Sequence, residues 1–288
     1  MNSNSSRTAL LTAAYRAAHQ SVDAGRIFAD PLAPRILGPE ARKFLDEARE
    51  DNWLARYFML HFASRSRFAE DKAEAAIAKG VRQIVVLGAG YDTFCYRVRG
   101  PHDLRLFEVD HLLTQREKRA RLAEAAIEAP GHLTYVDVDF ERENLVEKLV
   151  SAGFDPDRPS FFIWLGVIYY LKRDAGLATF AALGDVPGAV EIALDYFTPR
   201  EPAAFNALPA EVRAMIEAHF RRLAEWGEPT QNFIEPEAMR EDLRKCGFAE
   251  IDDLAPIDIF TRFAGALPPT VDPARGLRFV WARKAERA

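Results

Sequence analysis

Two glycines and two acids carry the clearest chemistry in this 288-residue chain. Gly88-Ala89-Gly90-Tyr91-Asp92 follows the apolar run Ile84-Val85-Val86-Leu87, and Phe107-Glu108-Val109-Asp110 ends a second short run in carboxylates. A strand, a glycine turn, a connecting segment and an acid-tipped strand suit a ligand with a ribose. Glycine lets backbone approach the ligand closely, and a carboxylate accepts hydrogen bonds from vicinal hydroxyls. Glu108 and Asp110 stand two apart on a strand and share a face. No Arg or Lys takes their place, which argues against a 2′-phosphate. Position 93 is Thr, so the third glycine that lets a helix pack closely around a pyrophosphate is missing. S-adenosylmethionine, an adenosine joined to an amino acid through a sulfonium, has no pyrophosphate and does not need it. A dinucleotide is the alternative.

Such groups work only if strand ends bring them together. Strands are expected at 83–87, 104–109, 133–138, 160–165 and 189–195, with helices near 112–128, 141–152 and 172–183. That alternation implies crossover connections and a mainly parallel, twisted α/β sheet with helices on both faces. The ligand then belongs at the carboxyl ends of the strands. Helical stretches at 8–20, 39–49 and 53–79, the last ending at Gly80, make residues 1–80 an N-terminal helical cap. Pro31 sets a boundary at Asp30, and residues 1–6 read as a disordered tail. Residues 81–196 form the expected cofactor-binding core. Residues 197–235, punctuated by Pro199, Pro202 and Pro209 around a helix at 210–226, read as an insertion that either closes over a site or packs at the periphery. A helix near 236–246, strands at 248–253 and 277–283 and a Pro-containing loop at 268–273 complete 236–288. With no repeat and no linker, one domain is expected.

Composition removes several function classes. Hydrophobic residues make up 49% and charged residues 28%, as in ordinary globular proteins. A net charge of −5 gives no basic face for nucleic acid. No apolar run approaches the roughly 18 residues of a membrane span, and no signal peptide is visible, so the expectation is cytoplasmic. Cys95 and Cys246 are far apart, which argues against structural zinc or a disulfide framework. His19, His61, His102, His111, His132 and His219 show no metal-ligand spacing, and there is no Gly-x-Ser-x-Gly elbow.

Other segments carry weaker signals. Asp139-Phe140 ends the third strand with an acid and an aromatic, suited to an adenine amine and ring. Arg65 and Arg67, two apart on a helix, point in different directions, so at most one reaches a given site, where an Arg can fork onto a carboxylate. Tyr169 and Tyr170 follow the fourth strand. An aromatic face there can stabilise a sulfonium, and one tyrosine is expected at the site, with Trp164 in the core. Gln115 to Arg121 (QREKRAR) reads as a solvated helix face.

Taken in order, Ser64-Arg65-Ser66-Arg67-Phe68, Leu87 to Thr93 with Tyr96-Arg97, Phe107 to Asp110, Asp139-Phe140 and Gly166 to Leu171 resemble the leucine carboxyl methyltransferase family. The likeness includes its bacterial branch of polyketide carboxyl methyltransferases. Asp30-Pro31-Leu32-Ala33 and Asp195-Tyr196 also match, and the likeness spans roughly residues 7–200. It implies a Rossmann-like class I methyltransferase using S-adenosylmethionine. By position, Arg65 would hold the methionine carboxylate, Gly88, Ala89 and Gly90 would pass close to the cofactor with Asp92 beside them, and Asp110 would bind ribose with Glu108 in support. Asp139 and Phe140 would bracket adenine, and Tyr169, Tyr170 and Tyr196 are the substrate-side candidates. One departure stands out: the family has Glu where this chain has Leu165.

No general base stands out in these motifs. A carboxylate, with a pKa near ~4, is ionised at neutral pH, whereas a phenol near ~10 needs activation. The expectation is therefore methyl-ester formation on a small-molecule carboxylate, with His219 of the insertion as a base if the acceptor is a phenol. Leu165 motivates a second reading, a cofactor-binding protein with lost or altered catalysis. An NAD-dependent oxidoreductase is disfavoured by the missing glycine and the lack of a Tyr-x-x-x-Lys pair.

Overall fold

The structure, a computed structural model, describes residues 6–266, 268, 271, 272 and 274–286. Residues 1–5 of the expected tail and part of the 268–273 loop lie outside them. The cap consists of α1 (Arg7–Val22), α2 (Ala33–Ile36), α3 (Arg42–Ala48) and α4 (Trp53–Ala78). The core follows as β1 (Gln83–Leu87), α5 (Phe94–Arg97), β2 (Arg105–Asp110), α6 (Leu112–Glu124), β3 (Leu133–Asp137), α7 (Leu145–Ser151), β4 (Ser160–Trp164), α8 (Arg173–Asp185) and β5 (Val190–Phe197). Then come α9 (Pro202–Ala207), α10 (Ala210–Glu225), α11 (Pro236–Lys245), β6 (Glu250–Leu254), α12 (Pro256–Ile259) and β7 (Leu277–Lys284).

The strands form one sheet in the order β3-β2-β1-β4-β5-β7-β6. The first five are parallel, and β7 runs antiparallel between β5 and β6. Chain order reverses between β1 and β4, which opens a crevice at their carboxyl ends where ligands bind in this architecture. The sheet is covered on both faces, so β1 is buried at every position and reads as a continuous apolar run. Val85, Leu87, Phe107 and Trp164 pack on one face, and Ile84, Val86, Leu106 and Ile163 on the other. A third cluster lies under the cap, where Tyr15 packs on Phe58 and Phe62 at 5.8 and 5.6 Å between ring centres, with Tyr91 alongside. Among the described residues no helix is long and apolar enough to cross a membrane.

The expected solvated face of α6 is a correction. Gln115, Lys118 and Arg121 stand three apart, share one side of the helix, and are buried. Each has polar partners: Gln115 donates to the carbonyl of Val136 at 2.6 Å, Lys118 to Glu108 at 2.8 Å, and Arg121 to the Tyr91 hydroxyl at 3.0 Å. A charge-dense segment stays in a protein interior when its heads are paired in this way.

Candidate functional site

The floor of the crevice is backbone. Gly88 and Gly90 adopt φ of +62° and +44°, and both are crowded. A Cβ on Gly88 would stand 2.2 Å from Val167 Cγ2, and one on Gly90 2.9 Å from Ala9 Cβ. A side chain here meets strain and collision together. Asp110, at the tip of β2, ties the turn down by accepting from the Gly90 N–H at 2.6 Å and its neighbour His111 N–H at 2.7 Å. Each carboxylate oxygen keeps a second lone pair. Burial raises the Asp110 pKa against these backbone donors.

Above this floor is a cavity of about 370 Å³. It brings together Gly88, Ala89, Gly90, Asp92 and Asp110 with Asp139 and Phe140 beyond β3, Leu165 beyond β4, Tyr170, and Arg65 from α4. Arg67 instead points outward to Asp71 at 2.6 Å, so one arginine of the pair reaches the cavity. The Arg65 side chain is 5% exposed, and Nη1 donates to Asp195 Oδ2 at 3.1 Å and to the Tyr169 hydroxyl at 3.4 Å. Its buried Nε has no partner among the described residues. Burial opposes the charge, but Asp195 together with Tyr169 and Tyr170 outweighs it and the Arg65 pKa is raised.

Asp195 also accepts from the Gly166 N–H at 2.6 Å through Oδ1. It thereby fastens the turn after β4 to α4. Leu165, where a glutamate was expected from the resemblance, lines the cavity with no carboxylate of its own. The carboxylate that reaches this turn comes from β5.

Three expected site residues are placed elsewhere. Glu108 is 1% exposed and absent from the cavity wall. It shares a face with Asp110 but lies one residue pair deeper, where Lys118 of α6 meets it at 2.8 Å. Tyr196 is fully buried, and its hydroxyl donates to Asp253 of β6 at 3.1 and 3.2 Å. Strand alternation turns it away from the face that Asp195 presents. Tyr169 stands behind Tyr170, the ring centres 4.7 Å apart, and meets the site only through its hydroxyl on Arg65.

The sequence reading assigned no role to the residues that hold the glycine turn in place. Asp30 is fully buried and accepts from the Thr93 hydroxyl at 2.7 Å and from the Leu32 and Ala33 N–H groups. Arg16 donates to the Tyr91 carbonyl at 2.7 Å, and Arg97 bonds both Thr93 at 2.9 Å and Glu70. The Asp-Pro motif was the available signal, although it showed only a helix boundary. Also unforeseen were Thr8 and Thr12, by which the first turns of α1 enter the cavity wall. Thr8 N–H donates to Glu228 beyond α10 at 3.0 Å.

A second cavity, of about 450 Å³, lies between the start of α4, the end of β5, α9 and α10. The Tyr169 ring separates the two, packing on Phe197 of the second cavity at 4.8 Å and on Tyr170 of the first at 4.7 Å. His219 lines the second cavity 4.6 Å from the Phe58 ring, and its Nδ1 is buried without a partner among the described residues. Burial, then Arg222 and Arg200, push its pKa down to about 4. Among the described residues no group of three or more His, Cys, Asp or Glu side chains could hold a metal ion.

The first cavity has features that S-adenosylmethionine requires. Its glycine floor would lose its opening to any Cβ, a carboxylate marks the end of β2, and the unpartnered Arg65 Nε can donate to an amino-acid carboxylate. Known proteins point the same way. The chain is 28% identical over 281 residues to YktD of Bacillus subtilis, named as an S-adenosyl-L-methionine-dependent methyltransferase, with 88% of this chain and 90% of that protein covered. A Mycobacterium tuberculosis protein named in the same way is 30% identical over 296 residues, covering 93% and 90%. A solved DUF574-family protein from Streptomyces avermitilis shares the fold at a TM-score of 0.58 and 16% identity, over 97% of this chain and 98% of that one. The leucine carboxyl methyltransferase family profile matches residues 9–184. The chain belongs to the leucine carboxyl methyltransferase family and is a methyltransferase.

Proposed function

We propose that this S-adenosylmethionine-dependent enzyme is an O-methyltransferase that converts a small-molecule carboxylate to its methyl ester. The observation that carries the reading is the set of groups at the Arg65 end of the cleft, where Tyr169 and Tyr170 stand around the Arg65–Asp195 ion pair. Burial raises the pKa of both Tyr169 and Tyr170, so each keeps its proton and can donate a hydrogen bond but cannot act as a base. His219 lines the adjoining cavity, and with its pKa pushed down to about 4 it is a weak base. An acceptor that arrives already ionised suits such surroundings.

When bound, S-adenosylmethionine supplies a methyl group on a sulfonium, so the acceptor oxygen contributes the pair for the new C–O bond while the C–S pair returns to sulfur, and no proton moves. The chain's own residues orient and exclude water. In this reading Arg65 holds the amino-acid carboxylate through Nε, with Asp195 fixing its guanidinium. Asp110 takes the ribose hydroxyls, and Asp139 and Phe140 flank the adenine. Tyr170 faces the acceptor. The segment 197–235 walls the acceptor side, with α1 over the cofactor. Asp195 also answers the concern raised by Leu165, since the turn after β4 already has a carboxylate partner.

The test is incubation of the full chain with methyl-labelled S-adenosylmethionine and a panel of small carboxylic acids and phenols. Label that is released from a small product by mild base supports the ester. Label confined to base-stable aryl ethers overturns it.

A further inference from the structure

We propose that the second cavity holds the body of the acceptor, that this body is aromatic, and that Arg200 grips an anionic group at its far end. This rests on the ester-forming reading above, because it places the reacting carboxylate at the opposite end, towards Tyr169. Three features carry the inference.

The first is the lining. Trp53 and Tyr57 stack at 5.4 Å with their planes 11° apart, and Phe197, Phe220 and Phe233 form a second ring cluster with centres 5.8, 6.1 and 6.4 Å apart. Flat faces on two sides favour a planar guest over a flexible chain. Phe233 is 40% exposed, the one aromatic among the exposed large hydrophobic side chains of the described residues.

The second is the cation. Arg200 lies over the Phe220 and Phe205 rings at 4.4 and 5.0 Å, and among the described residues it has no ion pair or hydrogen bond. The rings desolvate its head enough to lower its pKa, although much of the side chain is open to solvent. Arg275, the other arginine of this wall, is engaged by Glu235 and the Pro199 carbonyl, both at 3.1 Å. Of the nearby acids, Asp272 accepts from the Ala274 and Arg275 N–H groups at 2.8 and 2.9 Å, Glu201 acts on Arg275, and Glu217 acts on Arg200 from a distance. The direct ligand position on Arg200 stays open among the described residues.

The third is direction. Phe197 abuts Tyr169 and hence the Arg65 end of the cofactor cleft, whereas Arg200 lies one ring further on, over Phe220, whose centre is 5.8 Å from that of Phe197. A rigid aromatic body between them leaves one acidic group on Arg200 and presents the other to the cleft.

The test is calorimetric titration of the full chain, both loaded with S-adenosylhomocysteine and unloaded, with naphthalene-2,6-dicarboxylate, 2-naphthoate and sebacate. Both naphthalene acids are expected to owe roughly tenfold of their affinity to Arg200, the worth of one charge-assisted contact at a partly open site. Arg200→Gln should remove that tenfold from both while leaving S-adenosylhomocysteine affinity unchanged. Ala204→Trp, which fills the cavity from α9, should weaken both naphthalene acids at least about tenfold with cofactor affinity intact. Equal dicarboxylate binding in wild type and Arg200→Gln overturns the role of Arg200. Tighter binding of sebacate than of either naphthalene acid overturns the aromatic body. Failure to bind S-adenosylhomocysteine, read before any acid is added, overturns the cofactor reading alone. Dicarboxylate binding without methyl-ester formation supports the pocket and counts against the ester.

Discussion

The cofactor cleft and the aromatic cavity beyond Tyr169 are built by different means. The cleft is made of backbone turns and short acids at the ends of β1 to β5, held by hydrogen bonds of 2.6 to 3.1 Å. The aromatic cavity is walled mainly by side chains from helices and loops with the end of β5, and ring contacts dominate its lining. The first arrangement fixes one ligand geometry and tolerates little substitution. The second can change its guest by exchanging one ring for another while the sheet stays as it is.

The sharpest way to break this contrast is at Gly88. Gly88→Val places a branched side chain where a Cβ already meets Val167 at 2.2 Å and where φ is +62°. S-adenosylmethionine affinity by calorimetry should fall by about 100-fold or more, while naphthoate binding to the aromatic cavity changes less than about twofold. Comparable losses at both sites would show that they are one cavity. Next comes Arg65→Met, which removes the cation proposed to hold the cofactor and leaves Asp195 buried without it. Thermal unfolding should report a loss of about 3 kcal/mol, with cofactor affinity down roughly 30-fold. Retention of wild-type affinity would remove Arg65 from the site.

Asp110→Asn should weaken S-adenosylmethionine about tenfold and cost about 1–3 kcal/mol of stability, because the amide oxygen accepts from one of the two N–H groups while its NH2 faces the other. On the aromatic side, the folded chain holds His219 near pKa 4 against 6.5 when free. Between those values the unfolded chain carries a proton that the folded chain refuses, so stability falls as pH drops from 6.5 towards 4. His219→Gln should flatten that acid limb by about 1–2 kcal/mol in denaturation experiments at several pH values. The smallest effect is expected for Leu165→Glu. Asp195 already serves the turn after β4, so cofactor affinity should shift less than about threefold. A gain of about tenfold would show that the turn lacks a carboxylate after all.

The contrast also explains how far the sequence could be read. β1 was expected at 83–87 and lies there, because an apolar run that stops at glycine has sharp ends. β5 extends to Phe197, two residues beyond expectation, since its pairing with β7 cannot be seen locally. The single-turn helices α2, α5 and α12 were missed because four residues have no periodicity to detect. At the site, Arg65, the glycine turn and Asp110 were legible as types at spacings, and the structure gathers them around one cavity. Glu108 was misplaced because a shared strand face does not say how deep along the strand a cavity reaches. QREKRAR misled because paired charges can be buried, and pairing between α6 and β2 is a tertiary fact. The aromatic cavity was not legible at all. Its rings come from residues as far apart as Trp53 and Phe233 and share no local pattern.

Asp30 ends the turn between α1 and α2 and also grips Thr93 just beyond the glycine turn, while Arg16 of α1 holds the Tyr91 carbonyl across a separation of 75 residues. Residues 16–30 thus act as a clasp on the glycine turn, whose shape depends on contacts with a distant part of the chain as well as on the sheet. Cofactor affinity becomes a gauge of whether that clasp is shut, and an insertion near Asp30 should register at the ligand before it registers in the melting curve.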